Sequence, residues 1–190
     1  LSFGRAGEAR ARTLVIAAGA WADAVAARAG ARPQGIQPLR RTVAQVRTVP
    51  APPADLPLVL GITGDFYFKP EHGRLWLSPQ DETPAAASDV AAEELDVAIA
   101  IDRFEQVVDW TVDAVEHKWA GLRSFAPDRL PIYGYDPRVE GLFWFAGQGG
   151  FGIQTAPAAA RLGAQLLLGL PPDAMTERLD AALYSPARFG

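Results

Sequence analysis

Leu142-Phe-Trp-Phe-Ala-Gly-Gln-Gly-Gly-Phe-Gly-Ile-Gln-Thr-Ala-Pro157 is the stretch on which the reading of this chain turns. The segment from Arg138 to Ala146 ends in an unbroken apolar run, the pattern of a buried strand. Thr155 to Leu168 carries Ala and Gly on faces that permit close backbone approach, and reads as a helix stopped by Pro171-Pro172. Between them Gly147, Gly149 and Gly152 satisfy G-x-G-x-x-G in a strand-to-helix setting, the fingerprint of a dinucleotide turn. That fingerprint needs a second parallel strand after the helix, bearing an acidic residue about 20 positions on. Only Asp173 has the spacing, and no strand is expected to carry it. The physics of the turn survives the failure of the motif, because glycines bare their N–H groups and the following helix N-terminus favours negative charge. The segment is either a seat for an electron-rich ligand edge or a plain tight turn.

Upstream, Trp119-Ala-Gly-Leu-Arg-Ser-Phe-Ala-Pro-Asp-Arg-Leu-Pro-Ile132 places Arg123 at the end of a strand. A guanidinium there either grips a carboxylate through two parallel hydrogen bonds or bridges to Asp128 or Asp136 in a surface loop. Further back, Arg12 to Gly19 reads as a buried strand ending in small residues, with a helix from Trp21 to about Ala29 closed by Gly30. Arg40 to Thr48 alternates with period two, as a half-buried antiparallel strand does. After the proline-rich segment from Pro50 to Pro57, strands at 58–62 and 65–69 lead into a hairpin with Arg74 to Ser78. Tyr67, in Phe66-Tyr-Phe-Lys-Pro70, is either sheet-face packing or a residue beside a ligand. Ser88-Asp89 can cap a helix striped by Leu95, Ile99, Phe104, Val107 and Val108, and Thr111 to Trp119 resumes the sheet. The predicted order is strand–helix at each end with a sheet-rich middle, a mixed α/β chain of the α+β kind.

At 190 residues and 49% apolar content, the chain can bury one sizeable core or two smaller ones. Its 18 Lys+Arg and 22 Asp+Glu, spread without long runs, provide no basic stripe, which argues against nucleic acid as a partner. No apolar run approaches a membrane span and the first residues lack a signal-peptide layout, so a cytoplasmic setting is the default expectation. Cysteine is absent, removing disulfides, thiolate metal sites and cysteine-linked cofactors. His72, in a hairpin turn, and His117, in an alternating strand, read as structural or solvated, and no metal site is expected.

Taken in order, Leu14-Val-Ile-Ala-Ala-Gly-Ala-Trp-Ala22, Phe66-Tyr-Phe-Lys-Pro-Glu71, Trp119-Ala-Gly-Leu-Arg123 with Pro127-Asp-Arg-Leu-Pro-Ile-Tyr-Gly134, and Ala146-Gly-Gln-Gly-Gly-Phe-Gly-Ile153 resemble the carboxyl-terminal half of the D-amino-acid oxidase-like flavoproteins. That group includes glycine oxidase, sarcosine oxidase and D-amino acid dehydrogenase. The resemblance implies an antiparallel-sheet substrate domain inserted in the carboxyl-terminal part of an α/β FAD-binding domain. On this chain residues 1–38 would be FAD-domain, 39–139 the substrate sheet and 140–190 the closing strand and helix.

It also implies noncovalent FAD, with Ala17, Ala18, Gly19, Ala20 and Trp21 beside it and Gly147, Gln148, Gly149, Gly150, Phe151, Gly152, Ile153 and Gln154 lining the isoalloxazine. Arg123 matches the position that holds the substrate carboxylate, and Tyr67 a tyrosine that flanks the substrate. The implied reaction is oxidation of the C–N bond of a small D- or N-substituted amino acid, with hydride passing to the flavin. The amino-terminal dinucleotide-binding half that completes the family's fold is not in the sequence. The fragment alone is therefore expected to be inactive, not to retain FAD, and to expose apolar surface around Val15, Trp21 and Phe145 through which it could form a homodimer. A competing reading is a noncatalytic small-molecule binding or assembly module that has lost the cofactor.

Overall fold

The computed structural model describes residues 10–190. Two units emerge from the contacts, one taking the residues up to Gln37 together with Arg123–Gly190, the other Pro38–Leu122. The fold is mixed α/β, with sheets, few helices and no closed barrel.

The first unit is built on a three-stranded sheet in the order β1 (Leu14–Ile16), β9 (Leu142–Ala146), β8 (Ile132–Tyr135). β1 runs parallel to β9 with Ile16 opposite Trp144, and β8 runs antiparallel with Ile132 opposite Ala146. The central strand β9 is covered on both faces, which is why Leu142-Phe-Trp-Phe reads as a continuous apolar run, whereas β1, expected to be buried, leaves Val15 exposed. On one face Ile16, Ile132, Leu142 and Trp144 pack against Ala22 and Ala26 of α1 (Ala22–Arg28). On the other Tyr133 and Phe145 pack against Ala159, Leu162 and Leu166 of α3 (Gly152–Leu168), so Phe145, expected on exposed apolar surface, is covered by that helix instead. Gly163 lets α3 lie on the Phe145 ring, since a Cβ there would stand 2.5 Å from it. The helix ends at Gly169, whose left-handed φ of 65° forms the C-cap before Pro171-Pro172 is reached.

Two carboxylates tie the loops of this unit. Asp23 accepts from the backbone N–H groups of Gln34, Gly35 and Ile36 at 2.8–2.9 Å, fixing the exit from α1. Asp136 accepts from Trp144 Nε1 at 3.0 Å and from the amides of Arg138 and Val139, closing the β8–β9 turn. Burial opposes its charge, but the Trp144 bond, the two amides and nearby Arg138 hold the carboxyl below the ordinary aspartate value.

The second unit is a six-stranded antiparallel arrangement. Its order is β3 (Val59–Leu60), β4 (Tyr67–Glu71), β5 (Arg74–Ser78), β2 (Gln37–Val49), β6 (Thr83–Pro84), with β7 (Thr111–Phe125) also pairing β2. β4 and β5 join through His72 and Gly73, both at positive φ, the two-residue hairpin turn that favours the strands' twist. One face buries Phe68, Leu75, Leu77 and Val46 against Val97, Ala100 and Phe104 of α2 (Glu94–Glu105). Phe68 and Phe104 meet edge to face at 5.0 Å.

Several local expectations are corrected. β2 is half-buried only in its second part, where residues 44–49 alternate; residues 38–44 are all buried, because Arg40 pairs with Asp96 at 2.7 Å and with Glu93, and Thr42 binds Asp81 through both its amide and its hydroxyl. α2 begins at Glu94, not after Ser88, whose hydroxyl instead donates to the Ala86 carbonyl. Its inward face is Val97, Ala100 and Phe104, leaving Leu95 and Val107 exposed. β8 went unread in the sequence, since Ile132-Tyr-Gly-Tyr135 is short and interrupted by a glycine.

Candidate active site

β1 and β9 are neighbouring parallel strands, so the segments that leave their carboxyl ends emerge on one edge of the sheet. In an α/β layer that edge is where ligands bind. Ala17 to Trp21 follows β1 as a short 3-10 turn with Gly19 at φ 53°, and Trp21 is 49% exposed at its end. Gly147 to Phe151 follows β9 and feeds α3. Ala17–Trp21 and Gly147–Gln154 are thus brought to one edge, as two turns side by side in sheet order.

The glycine turn has a defined support. Gly147 and Gly149 take positive φ, and the Gly149 amide donates to the Ser124 carbonyl at 2.9 Å. The Phe125 ring lies so close under Gly149 that an added Cβ would strike it. Arg129 stacks on the same ring with its guanidinium carbon 4.0 Å from the centroid. Phe125 and Arg129 were not foreseen as parts of the site. Phe125 follows Arg123 by two residues along a strand, so period two alone places both on one side.

Arg123 reaches the turn from that strand. Its Nη1 lies 2.7 Å from where a Cβ of Gly150 would stand, so the guanidinium sits against the bare backbone there. It is half-buried and makes no hydrogen bond or ion pair among the described residues. The bridge to Asp128 or Asp136 is not formed. Asp128 is taken by Arg188 at 2.7 and 3.1 Å, and those bonds, against opposing burial, hold its carboxyl below the ordinary range. Asp136 is taken by Trp144.

The first turn of α3 contains no acidic residue, so nothing there competes for the partial positive charge of a 17-residue helix. Ile153 is 96% exposed and Phe151 56%, giving the helix N-terminus an apolar surface suited to a flat aromatic ring. Thr155 donates its hydroxyl back to the Phe151 carbonyl at 2.9 Å, tightening the turn. Asp173 lies on no strand and binds Arg161, which leaves the dinucleotide fingerprint without its acidic partner here. A polar edge facing bare amides, with an aromatic body over Phe151 and Ile153, is what these residues fit.

Tyr67 belongs to the second unit, on β4 between Phe66 and Phe68. Those two phenylalanines are buried on the side covered by α2, so Tyr67 stands on the sheet's other face, with Lys69 and Trp76. Lys69 Nζ lies 4.4 Å from the Trp76 ring, and Trp76 donates to Gln45 at 3.2 Å. The Tyr67 hydroxyl has no hydrogen bond among the described residues. In the first unit the Tyr133 hydroxyl likewise has no hydrogen bond among the described residues, but it is buried, its ring stacked on Phe145 and its phenol pushed up to about 12 by burial and by neighbouring Tyr184.

No described helix is long and apolar enough to cross a membrane, and among the described residues no three His, Cys, Asp or Glu side chains cluster as metal ligands.

Residues 3–166 match the family described as DAO, FAD dependent oxidoreductase, and the chain belongs to it. It is 30% identical over 188 residues to a glycine oxidase of Pseudomonas aeruginosa, covering 95% of this chain and 47% of that protein. A D-amino acid dehydrogenase of Xanthobacter autotrophicus is 38% identical over 69 residues, 36% of this chain and 16% of that one. Among solved structures, glycine oxidase from Geobacillus kaustophilus superposes with a TM-score of 0.78 at 28% identity, covering 96% of this chain and 47% of its own. The chain spans about half the length of these full-span relatives.

Proposed function

We propose that this chain is the carboxyl-terminal half of an FAD-dependent enzyme that oxidises the C–N bond of a small D- or N-substituted amino acid. The observation that carries the reading is Arg123, a half-buried guanidinium with no partner among the described residues, seated against the glycine turn. An unpaired charge withdrawn from water is costly unless a ligand satisfies it, and a planar guanidinium matches a carboxylate in two parallel bonds.

The flavin, held noncovalently, supplies an acceptor for the hydride that leaves the amino acid's Cα. Gly147–Gln154 would hold the edge of its ring through backbone amides and the α3 N-terminus, where negative charge is stabilised. Ala17–Trp21 would hold it from the adjacent strand. Arg123 binds the substrate carboxylate and so orients the Cα–H, and Tyr67 keeps the role of flanking the substrate that the family resemblance implies. The dinucleotide-binding contacts belong to an amino-terminal half, which would cover Val15 and Trp21, now 41% and 49% exposed. Without it the chain retains no FAD and is inactive, and a homodimer forms through that surface. We assign the first unit to the cofactor domain and Pro38–Leu122 to the substrate domain; the boundary expected at 139 moves back to 122 because β8 pairs with β9 in the first unit's sheet. The setting is cytoplasmic.

The test is an absorbance spectrum of the parent protein and of this chain, with and without a panel of D- and N-methyl amino acids. Flavin bands that bleach in the parent and are missing from the chain are expected. A parent without flavin would overturn the reading.

A further inference from the structure

We propose that Gly150 is the positioning residue for Arg123, its missing side chain being the space in which the guanidinium sits; this rests on Arg123 as carboxylate anchor. A Cβ built on Gly150 stands 2.7 Å from Arg123 Nη1 and 3.5 Å from both Cδ and Cζ. The first distance is shorter than a Cβ adopts to any packed heavy atom, so either the turn or the arginine must move. The turn is held by the Gly149 amide on the Ser124 carbonyl and by the Phe125 ring under Gly149. Arg123 is held by no hydrogen bond or ion pair among the described residues. The arginine therefore yields.

Gly150 differs from its neighbours in a way that makes the idea testable. Gly147 and Gly149 have φ of 75° and 57°, where any side chain strains the backbone. Gly150 is not among the positive-φ residues and is exposed, so an alanine fits its backbone and intrudes only on Arg123. Displacing a bidentate guanidinium by an ångström or so breaks the parallel pair of bonds without removing the charge. Gly150 is thus a position at which carboxylate affinity is set with the fold left alone.

The experiment uses the flavin-loaded parent protein with the variants Gly150→Ala, Gly150→Val, Arg123→Gln and, as a control in open space, Gly121→Ala. Equilibrium affinity for propionate and for uncharged propionamide is measured by ligand-observed NMR, with flavin content and Tm recorded for each. The expectation is that G150A weakens propionate about tenfold per flavin-loaded protein, G150V more, with propionamide affinity and Tm unchanged and G121A like the parent. If R123Q loses propionate while G150A and G150V bind it as the parent does, the positioning role is wrong and the anchor reading stands. If R123Q binds propionate as well as the parent, the anchor reading fails and the positioning role with it. Equal weakening of propionate and propionamide in G150A would also overturn the proposal, since the variant would then be blocking space and not moving a charge.

Discussion

Arg40 and Arg123 are both strand-borne guanidiniums drawn away from water, and their surroundings could hardly differ more. Arg40 is buried in the second unit and meets Glu93, Asp96 at 2.7 Å and, at 3.8 Å, Asp81. Glu93 above all, with Asp96 and against the cost of burial, raises its pKa. Arg123 in the first unit has room cleared for it by a glycine and no partner among the described residues. The difference teaches how to separate a structural arginine from a binding one. The first is satisfied by its own chain, and the second waits on charge from elsewhere.

The contrast breaks most sharply at Arg123. Arg123→Gln should lower kcat/KM of the parent for its amino acid by roughly two orders of magnitude, the loss of two charge-assisted hydrogen bonds worth about 3 kcal/mol. Its cost in stability should stay below about 0.5 kcal/mol, read by chemical denaturation, because no internal contact of charge is lost. Arg40→Gln should do the converse. It leaves Asp96 poorly compensated in a largely buried setting and should destabilise by about 2–3 kcal/mol, between the values of exposed and buried pairs, with KM unchanged.

A smaller effect sharpens the view that carboxylates in the first unit serve its loops. Asp23→Ala frees the amides of Gln34, Gly35 and Ile36 together and should cost about 2 kcal/mol in a denaturation series, with Asp23→Asn costing less.

The smallest effect is one of pH. Asp136 is held below its ordinary value, so its contribution to stability is full above about pH 4, the unfolded aspartate range, and is lost as pH falls through the lower folded pKa. Asp136→Asn should flatten that acid limb in Tm against pH while leaving the neutral plateau only slightly lower. An unchanged acid limb would show that Asp136 is not among the groups that set it.

How much of this was legible beforehand depended on whether the signal was local. The β9–turn–α3 segment was read in its order because its apolar run, glycines and helix obey three separate local rules, but the strand starts at Leu142 and not Arg138, and the helix at Gly152 and not Thr155, taking the last glycine of the turn into its first turn. The hairpin at His72-Gly73 was equally local. β2 and α2 were misread for one shared reason. Arg40, Arg41 and Thr42 look polar in sequence, yet Glu93, Asp96 and Asp81, some 40–56 residues away, satisfy them and let both sides of the strand's first part be buried. The same acidic residues draw the start of α2 to Glu94. Nor could the sequence tell that Arg188, near the end of the chain, takes Asp128 and leaves Arg123 without a bridge there.

The central claim is that Arg123, set against the glycine turn, delivers an amino acid to a flavin by its carboxylate. Its most direct test is an anaerobic titration of the parent protein and its Arg123→Gln variant with the amino acid that best bleaches the flavin. The account predicts identical flavin spectra before substrate, and half-reduction of the variant only at about a hundredfold higher amino acid concentration. Half-reduction of both proteins at the same concentration would contradict it.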